Sequence, residues 1–372
     1  MSHRVAVAAN SAGNIVTFRR GLLRALRDDG YEPLVIAPME ASAEPRMERL
    51  GVERLTVDLE RSGLNPIADL ELLLAYRKIL KRSSPAAFLG FTVKPNIYGC
   101  IAARSLGIPA VPNVSGLGTV FLVGGPLRLL VTAMYRFAFK RCEVVFFQNP
   151  DDVELFVENR IVRRSQTRLV PGSGIDLEQY MPAPLPDGPP IFLLIARLLR
   201  DKGVCEYVEA ARAVRAEHPD ARFQLLGPVD PGNRSAIEQS ELDRWIAEGV
   251  IEYLGSSDDV RPHIAAASVI VLPSYREGLP RVLLEGAAMG RPLITTDVPG
   301  CREVVEDGVN GRLCDVKSVG SLANAMRALI RMSDEERTAL GLAARRTVEE
   351  RFSEELVVRA YLDVLKAIAS PE

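Results

Sequence analysis

Two glutamates with seven residues between them, Glu277 and Glu285 in EGLPRVLLE, are the pair in this chain most suited to chemistry. The apolar run at 268–272 stops at Pro273 and reads as a buried strand. A short polar loop with Glu277, Gly278 and Leu279 follows. A helix is expected from Pro280, whose missing N–H costs nothing in a first turn, to about Gly290, a usual residue just past a helix end. One carboxylate then precedes the helix N-terminus and the other lies about a turn and a half inside it. Free first-turn amides and the positive end of the helix dipole lie between them. This suits an anionic ligand that also carries hydroxyls, and a sugar nucleotide is such a ligand.

Arg197 and Lys202 directly follow the apolar run at 191–195, expected as a strand. In an open α/β sheet, ligands sit outside the carboxyl ends of strands, where this guanidinium and ammonium can neutralise a diphosphate. The loop at 10–14, with Gly13 and Asn14, follows the first expected strand and opens a helix. It is not a G-x-G-x-x-G loop, so a dinucleotide is not indicated. Loops at 91–96, 113–118 and 171–176 follow later runs and bring Lys94 and Asn113 to strand ends.

The glutamate spacing resembles the E-x7-E signature of the retaining glycosyltransferases of family 4, which have the GT-B fold. The stretches ARLLRDKGV at 196–204 and TTDVPGCREVVEDGVNGRL at 295–313 are similar to that family too. The likeness covers nearly all of the C-terminal half and is thinner in the N-terminal half. It implies two Rossmann-like domains with parallel sheets facing across a cleft. It assigns Arg197 and Lys202 to the leaving nucleoside diphosphate and Glu285 to the donor's ribose hydroxyls. Glu277 and the amides around Gly278 and Leu279 would hold the transferred sugar. The loops at 91–96, 113–118 and 171–176 are similar to a bacterial subset that adds N-acetylhexosamine or a related sugar to undecaprenyl-diphosphate-linked saccharides. That makes Arg19, Lys94 and Asn113 the expected acceptor contacts. Two departures stand out. Asn14 replaces the second of two glycines common in the donor-phosphate loop, and 113–118 lacks the histidine many members carry there.

These groups need elements to position them. Short apolar runs alternate with amphipathic stretches, which predicts α/β domains with parallel sheets. Strands are expected at 4–9, 33–37, 52–57, 87–91, 109–114 and 144–147, with a helix at 15–29. Residues 180–190, YMPAPLPDGPP, hold five prolines, and 181–190 is expected as an interdomain linker. Strands resume at 191–195, 222–226, 250–254, 268–272 and 292–295, with only helices after 313. The expected domains are 1–180, for the acceptor, and 191–352, for the nucleotide sugar. The helix at 353–372 would cross back to the first if the resemblance holds. Along 127–141, Arg128, Thr132, Arg136 and Lys140 recur every four residues, and Leu127, Leu130, Val131, Met134 and Phe137 fall mostly opposite. A basic face of this kind suits an anionic membrane surface; packing on a sheet is the other reading.

Charge and composition set limits. The chain has 372 residues, enough for two cores, and 46 basic against 48 acidic residues, which argues against bulk nucleic-acid binding. Five scattered Cys without a C-x-x-C and only three His give no zinc spacing, and reduced thiols fit a cytoplasmic protein. The N-terminus lacks the apolar core of a signal peptide, and no window approaches the ~18 apolar residues of a spanning helix. No D-x-D triplet occurs, so no divalent ion or other cofactor is expected. The sequence is thus read as a metal-independent retaining transferase, peripheral at the inner face of the cell membrane. It would move an N-acetylhexosamine from a UDP-sugar to a lipid-linked saccharide. A UDP-sugar 2-epimerase, a transferase to a soluble acceptor and a non-catalytic sugar-nucleotide-binding module are the alternatives.

Overall fold

Apolar runs of four to six residues become parallel strands here because both faces of each sheet are covered by helices. The computed structural model describes residues 3–41, 43–60, 65–116 and 125–369. It divides into two compact units, 1–173 with 354–372, and 174–353.

The first unit holds β1 (Arg4–Ala8), β2 (Glu32–Ile36), β3 (Glu53–Leu55), β4 (Ala87–Phe91), β5 (Ala110–Val114), β6 (Val145–Phe147) and β7 (Thr167–Leu169). They form one parallel sheet in the order β3-β2-β1-β4-β5-β6-β7. On one face lie the helices Pro66–Ser83, Cys100–Ser105, Pro126–Phe139 and Pro150–Glu158, with Leu72, Tyr76, Phe88, Tyr135 and Phe156 in the core. The other face buries Ile15, Leu23, Leu26 and Met47 with Val357, Tyr361 and Leu365 of the C-terminal helix Glu354–Ala369.

The second unit holds β8 (Ile191–Ile195), β9 (Arg222–Leu226), β10 (Glu252–Tyr253), β11 (Val269–Leu272), β12 (Leu293–Thr296) and β13 (Gly311–Cys314), in the order β10-β9-β8-β11-β12-β13. In each unit the chain winds to one side of its first strand and then to the other. The direction reverses between β1 and β4 in the first unit and between β8 and β11 in the second. At such a point two neighbouring loops diverge and leave a crevice for ligand.

Four expectations change. The helix expected over 15–29 is two, Ala12–Phe18 and Arg20–Asp28. They are parted at Arg19, whose backbone (φ −127°, ψ 6°) leaves the helical region while its side chain is buried. The strands β7 and β13 were not expected; both are short sheet edges, where polar residues are tolerated and the apolar signal is weak. Residues 181–190, expected as a linker, belong to the second unit, which begins at Gly174. Tyr180 is buried in its core, and the guanidinium of the fully buried Arg291 donates to Pro184 O at 2.8 Å and to Ile264 O at 3.0 Å. On the helix Pro126–Phe139, Thr132 does not share an outer basic face but is buried with Val131, Tyr135, Ala138 and Phe139. Leu130 and Phe137, expected opposite the basic residues, are exposed beside Leu129 and Lys140, and Leu127 is exposed in the first turn. The tighter curvature of 3.6 residues per turn separates 128 from 140 by more than the four-residue spacing implies.

Candidate active site

The second unit places its charged groups around the point where winding reverses. β8 ends at Ile195, and the chain turns through Arg197 into the 3-10 turn Arg200–Lys202. The neighbouring β11 ends at Leu272 and leads into the loop with Ser274 and Glu277. Two backbone bonds fix this loop: Tyr275 N–H donates to Asp201 O at 2.9 Å, and Glu277 N–H to Pro299 O at 3.1 Å. Gly203 (φ +72°) permits the first contact, because a Cβ there would lie 2.1 Å from Pro273 O. Gly300 (φ +87°) permits the second; its Cβ would lie 2.5 Å from Glu277 O.

The result is a direct ion pair between Lys202 Nζ and Glu277 Oε1. The Ser274 hydroxyl donates to the same oxygen at 2.7 Å. The Lys202 side chain keeps 24% of its surface and that of Glu277 14%, so both are held yet reachable. Arg197 lies further out, with Nη1 2.9 Å from Asp230 Oδ2, beyond the end of β9. Gly278 is buried, and Leu279 packs partly against the core.

Glu285 sits in the helix Arg281–Ala288, capped at Pro280. Its Oε1 accepts from Tyr180 OH at 2.9 Å and from Arg281 Nε at 2.8 Å. Burial raises the Glu285 carboxyl above the usual range, while Arg281 and the Tyr180 hydroxyl pull it back. Of the four sequence-predicted groups, Lys202 and Glu277 are in contact, whereas Arg197 pairs with Asp230 and Glu285 with Tyr180 and Arg281. Tyr180, Ser274, Arg281 and Asp230 were missed. Arg281 was legible, since an Arg four residues before a Glu on one helix pairs with it. Tyr180 was not, being 105 residues away in sequence.

In the first unit the loops after β1 and β4 flank the reversal. The Gly13 amide donates to Glu40 Oε2 at 2.9 Å, and the Asn14 amide to the capping Ser11 Oγ at 3.0 Å. The Asn14 side-chain oxygen has no hydrogen-bond partner among the described residues. After β4, Thr92 takes a positive φ of 69°, rare for a branched residue, and leads into a π-turn, Pro95–Gly99. Strain and π-turns of this kind gather at functional sites. The expected acceptor contacts are turned inward. Lys94 pairs with Asp69 at 2.8 Å, both nearly buried. Arg19 is buried over the Phe91 ring, 4.0 Å from its centroid. Asn113 is fully buried, giving Nδ2 to Tyr361 OH at 2.7 Å and accepting on Oδ1 from Gln148 Nε2 at 3.3 Å. Asn113 thus ties β5 to the C-terminal helix. Leu117 and Gly118 of the same expected loop lie outside the described residues.

Among the described residues no group of three or more His, Cys, Asp and Glu is placed to hold a metal, and no helix is long and apolar enough to cross a membrane.

Comparison with known proteins places this architecture. Residues 13–172 match the glycosyl transferase 4-like domain and residues 189–332 match glycosyl transferases group 1. The chain belongs to the family of glycosyltransferases built from these two domains, and its fold is GT-B. It is 26% identical, over 96% of its length and 97% of the relative's, to the N,N'-diacetylbacillosaminyl-diphospho-undecaprenol alpha-1,3-N-acetylgalactosaminyltransferase of Campylobacter jejuni. It is also 26% identical, over 74% of the chain and 73% of the relative, to the UDP-Gal:alpha-D-GlcNAc-diphosphoundecaprenol alpha-1,3-galactosyltransferase of Escherichia coli. Anabaena Alr3699/HepE, solved with UDP and glucose, superposes with a TM-score of 0.82 at 17% identity, covering 98% of this chain and 99% of that one.

Proposed function

We propose that the protein transfers an N-acetylhexosamine from a UDP-sugar to a saccharide carried on undecaprenyl diphosphate, with retention at the anomeric carbon and without a divalent ion. The Lys202–Glu277 pair at the reversal point of the second sheet carries this reading. The two relatives named for transfer onto diphospho-undecaprenol saccharides support the acceptor class.

In this mechanism the donor's diphosphate enters beside Lys202 and Arg197. Their charge offsets the negative charge that grows on the leaving group, the largest help a site of this type can give. The Glu277 carboxylate, held by Ser274, accepts hydroxyls of the transferred sugar and fixes its orientation. Glu285, ionised, accepts the ribose hydroxyls. The bond from the anomeric carbon to the leaving phosphate oxygen breaks as the acceptor oxygen bonds on the same face. The leaving oxygen takes the acceptor's proton, so no separate base is needed. The exposed Leu129, Leu130 and Phe137, with Lys140, rest on the inner face of the cell membrane, where the acceptor resides.

The test is to incubate the protein with UDP-sugars and a polyprenyl-diphosphate saccharide and to read the product's anomeric configuration by NMR. An α-linked product from an α-linked donor is expected. Conversion of the sugar nucleotide to an epimer with no acceptor present would favour the epimerase instead.

A further inference from the structure

We propose that the helix Pro66–Ser83 is a second membrane-contacting element, forming with Pro126–Phe139 a two-helix platform for an anionic bilayer. This rests on the lipid-linked acceptor reading above and extends it to a helix that reading does not use.

The helix buries Leu72, Tyr76 and Leu80 in the core and leaves Ile67, Leu70 and Leu74 outward at 72%, 56% and 56% exposure. Positions 67, 70 and 74 lie on one stripe of a helix. The stripe continues through Arg77, Lys78 and Lys81, all exposed. Glu71 is the exposed acid of this helix, since Asp69 is buried against Lys94. The helix Pro126–Phe139 repeats the plan, with apolar Leu129 and Leu130 outward in its first half and Lys140 outward just past its end, while the exposed Arg136 is held by the carbonyls of Asn159 and Arg160. Both helices pack against the turn Pro95–Gly99 and the helix Cys100–Ser105, and both bury their inner faces in the same core. They therefore cover the same side of the sheet. Each also connects parallel strands and so runs back from their carboxyl ends. The two apolar halves thus lie at the end of the sheet where the acceptor loops lie.

A bilayer with anionic headgroups is the occupant this chemistry fits. Apolar side chains enter the boundary of the acyl region while neighbouring cations meet the headgroups. The Lys94–Asp69 pair adds a mechanical link, because it joins the first turn of Pro66–Ser83 to the loop after β4. Docking the stripe would hold that loop against the membrane surface.

Flotation with phosphatidylglycerol–phosphatidylcholine vesicles tests the platform. The comparison is between the unmodified chain, the triple variant Ile67→Ser, Leu70→Ser, Leu74→Ser, and the double variant Leu129→Ser, Leu130→Ser. Each variant is expected to lose about tenfold or more of its partitioning, with a further loss at high salt. Their unfolding temperatures should match the unmodified chain, as all five side chains are exposed. Unchanged flotation of the triple variant would overturn the proposal, as would failure of the unmodified chain to float. So would a dimer that the triple variant dissolves, which would assign the stripe to a second copy. Transfer to a short-chain, water-soluble diphosphate acceptor is read separately and should be equal in all three proteins. Its absence from the unmodified chain would contradict the transferase reading, while flotation alone decides the platform.

Discussion

At the scale of residues, Lys202 and Glu285 lead to different predictions because their surroundings differ. Lys202 is reachable and paired, so its removal should leave the fold intact and act on the reaction. Glu285 is buried against Arg281 and Tyr180, so its ionisation is coupled to stability and, in the role proposed for it, to donor binding. Its folded pKa is raised above the ordinary glutamate value of 4.5. The carboxyl's contribution to stability is therefore complete below that value and is lost as pH rises toward the folded one. Glu285→Gln, which keeps an acceptor for Tyr180 and Arg281 and needs no buried charge, should remove this pH dependence and leave stability at neutral pH no lower than the parent's. On the proposed role the ionised form accepts the donor's ribose hydroxyls, so the donor KM should climb on acidification sooner than for an ordinary glutamate. Unfolding curves and KM measured across pH check both effects. The same acidic limb in the Gln variant would show that another group titrates.

Elements set how well these groups are held. The 3-10 turn with Lys202 and the loop with Glu277 approach closely because Gly203 has no side chain. Gly203→Ala should cost about 3 kcal/mol or more, from its positive φ and the clash with Pro273 O, and should lower transfer beyond what unfolding explains. Calorimetry and kcat together test this; a variant as stable and active as the parent would mean that the two loops move independently. Sequence reading found elements where burial dictates composition. The all-apolar run Ile191–Ile195 and the helix after Glu277 lie where patterning put them. It failed where burial does not dictate composition. The edge strands β7 and β13 are partly polar, and Thr132 looks like a surface residue until the core accepts it. The acceptor contacts were harder still. Lys94 and Asn113 lie at strand ends as expected, but their partners Asp69 and Tyr361 come from distant stretches, and sequence spacing carries no sign of those bonds. Tyr361→Phe should leave Asn113 Nδ2 without its acceptor and destabilise the first unit by about 1–2 kcal/mol, measurable by chemical unfolding.

For the whole molecule, the two units each repeat a single plan: a parallel sheet whose winding reverses once, with strained or charged loops at that point. That repetition made the α/β class with parallel sheets legible from alternating apolar runs, while the GT-B arrangement rested on the resemblance of the glutamate motif. The unit boundary was less legible, because a proline-rich stretch resembles a linker whether or not it is packed. Here Tyr180 and the Arg291 bonds fasten it to the second unit. If the site works through fixed cations, a chelator such as EDTA should leave the transfer rate unchanged; loss of rate, restored by a divalent ion, would show that Lys202 and Arg197 do not suffice. The most direct measurement is the transfer rate of Lys202→Ala at saturating UDP-sugar and acceptor, with its unfolding temperature recorded alongside. A fall of about a hundredfold or more with unchanged stability is expected if this ammonium offsets the leaving-group charge. A rate within about threefold of the parent would contradict that role.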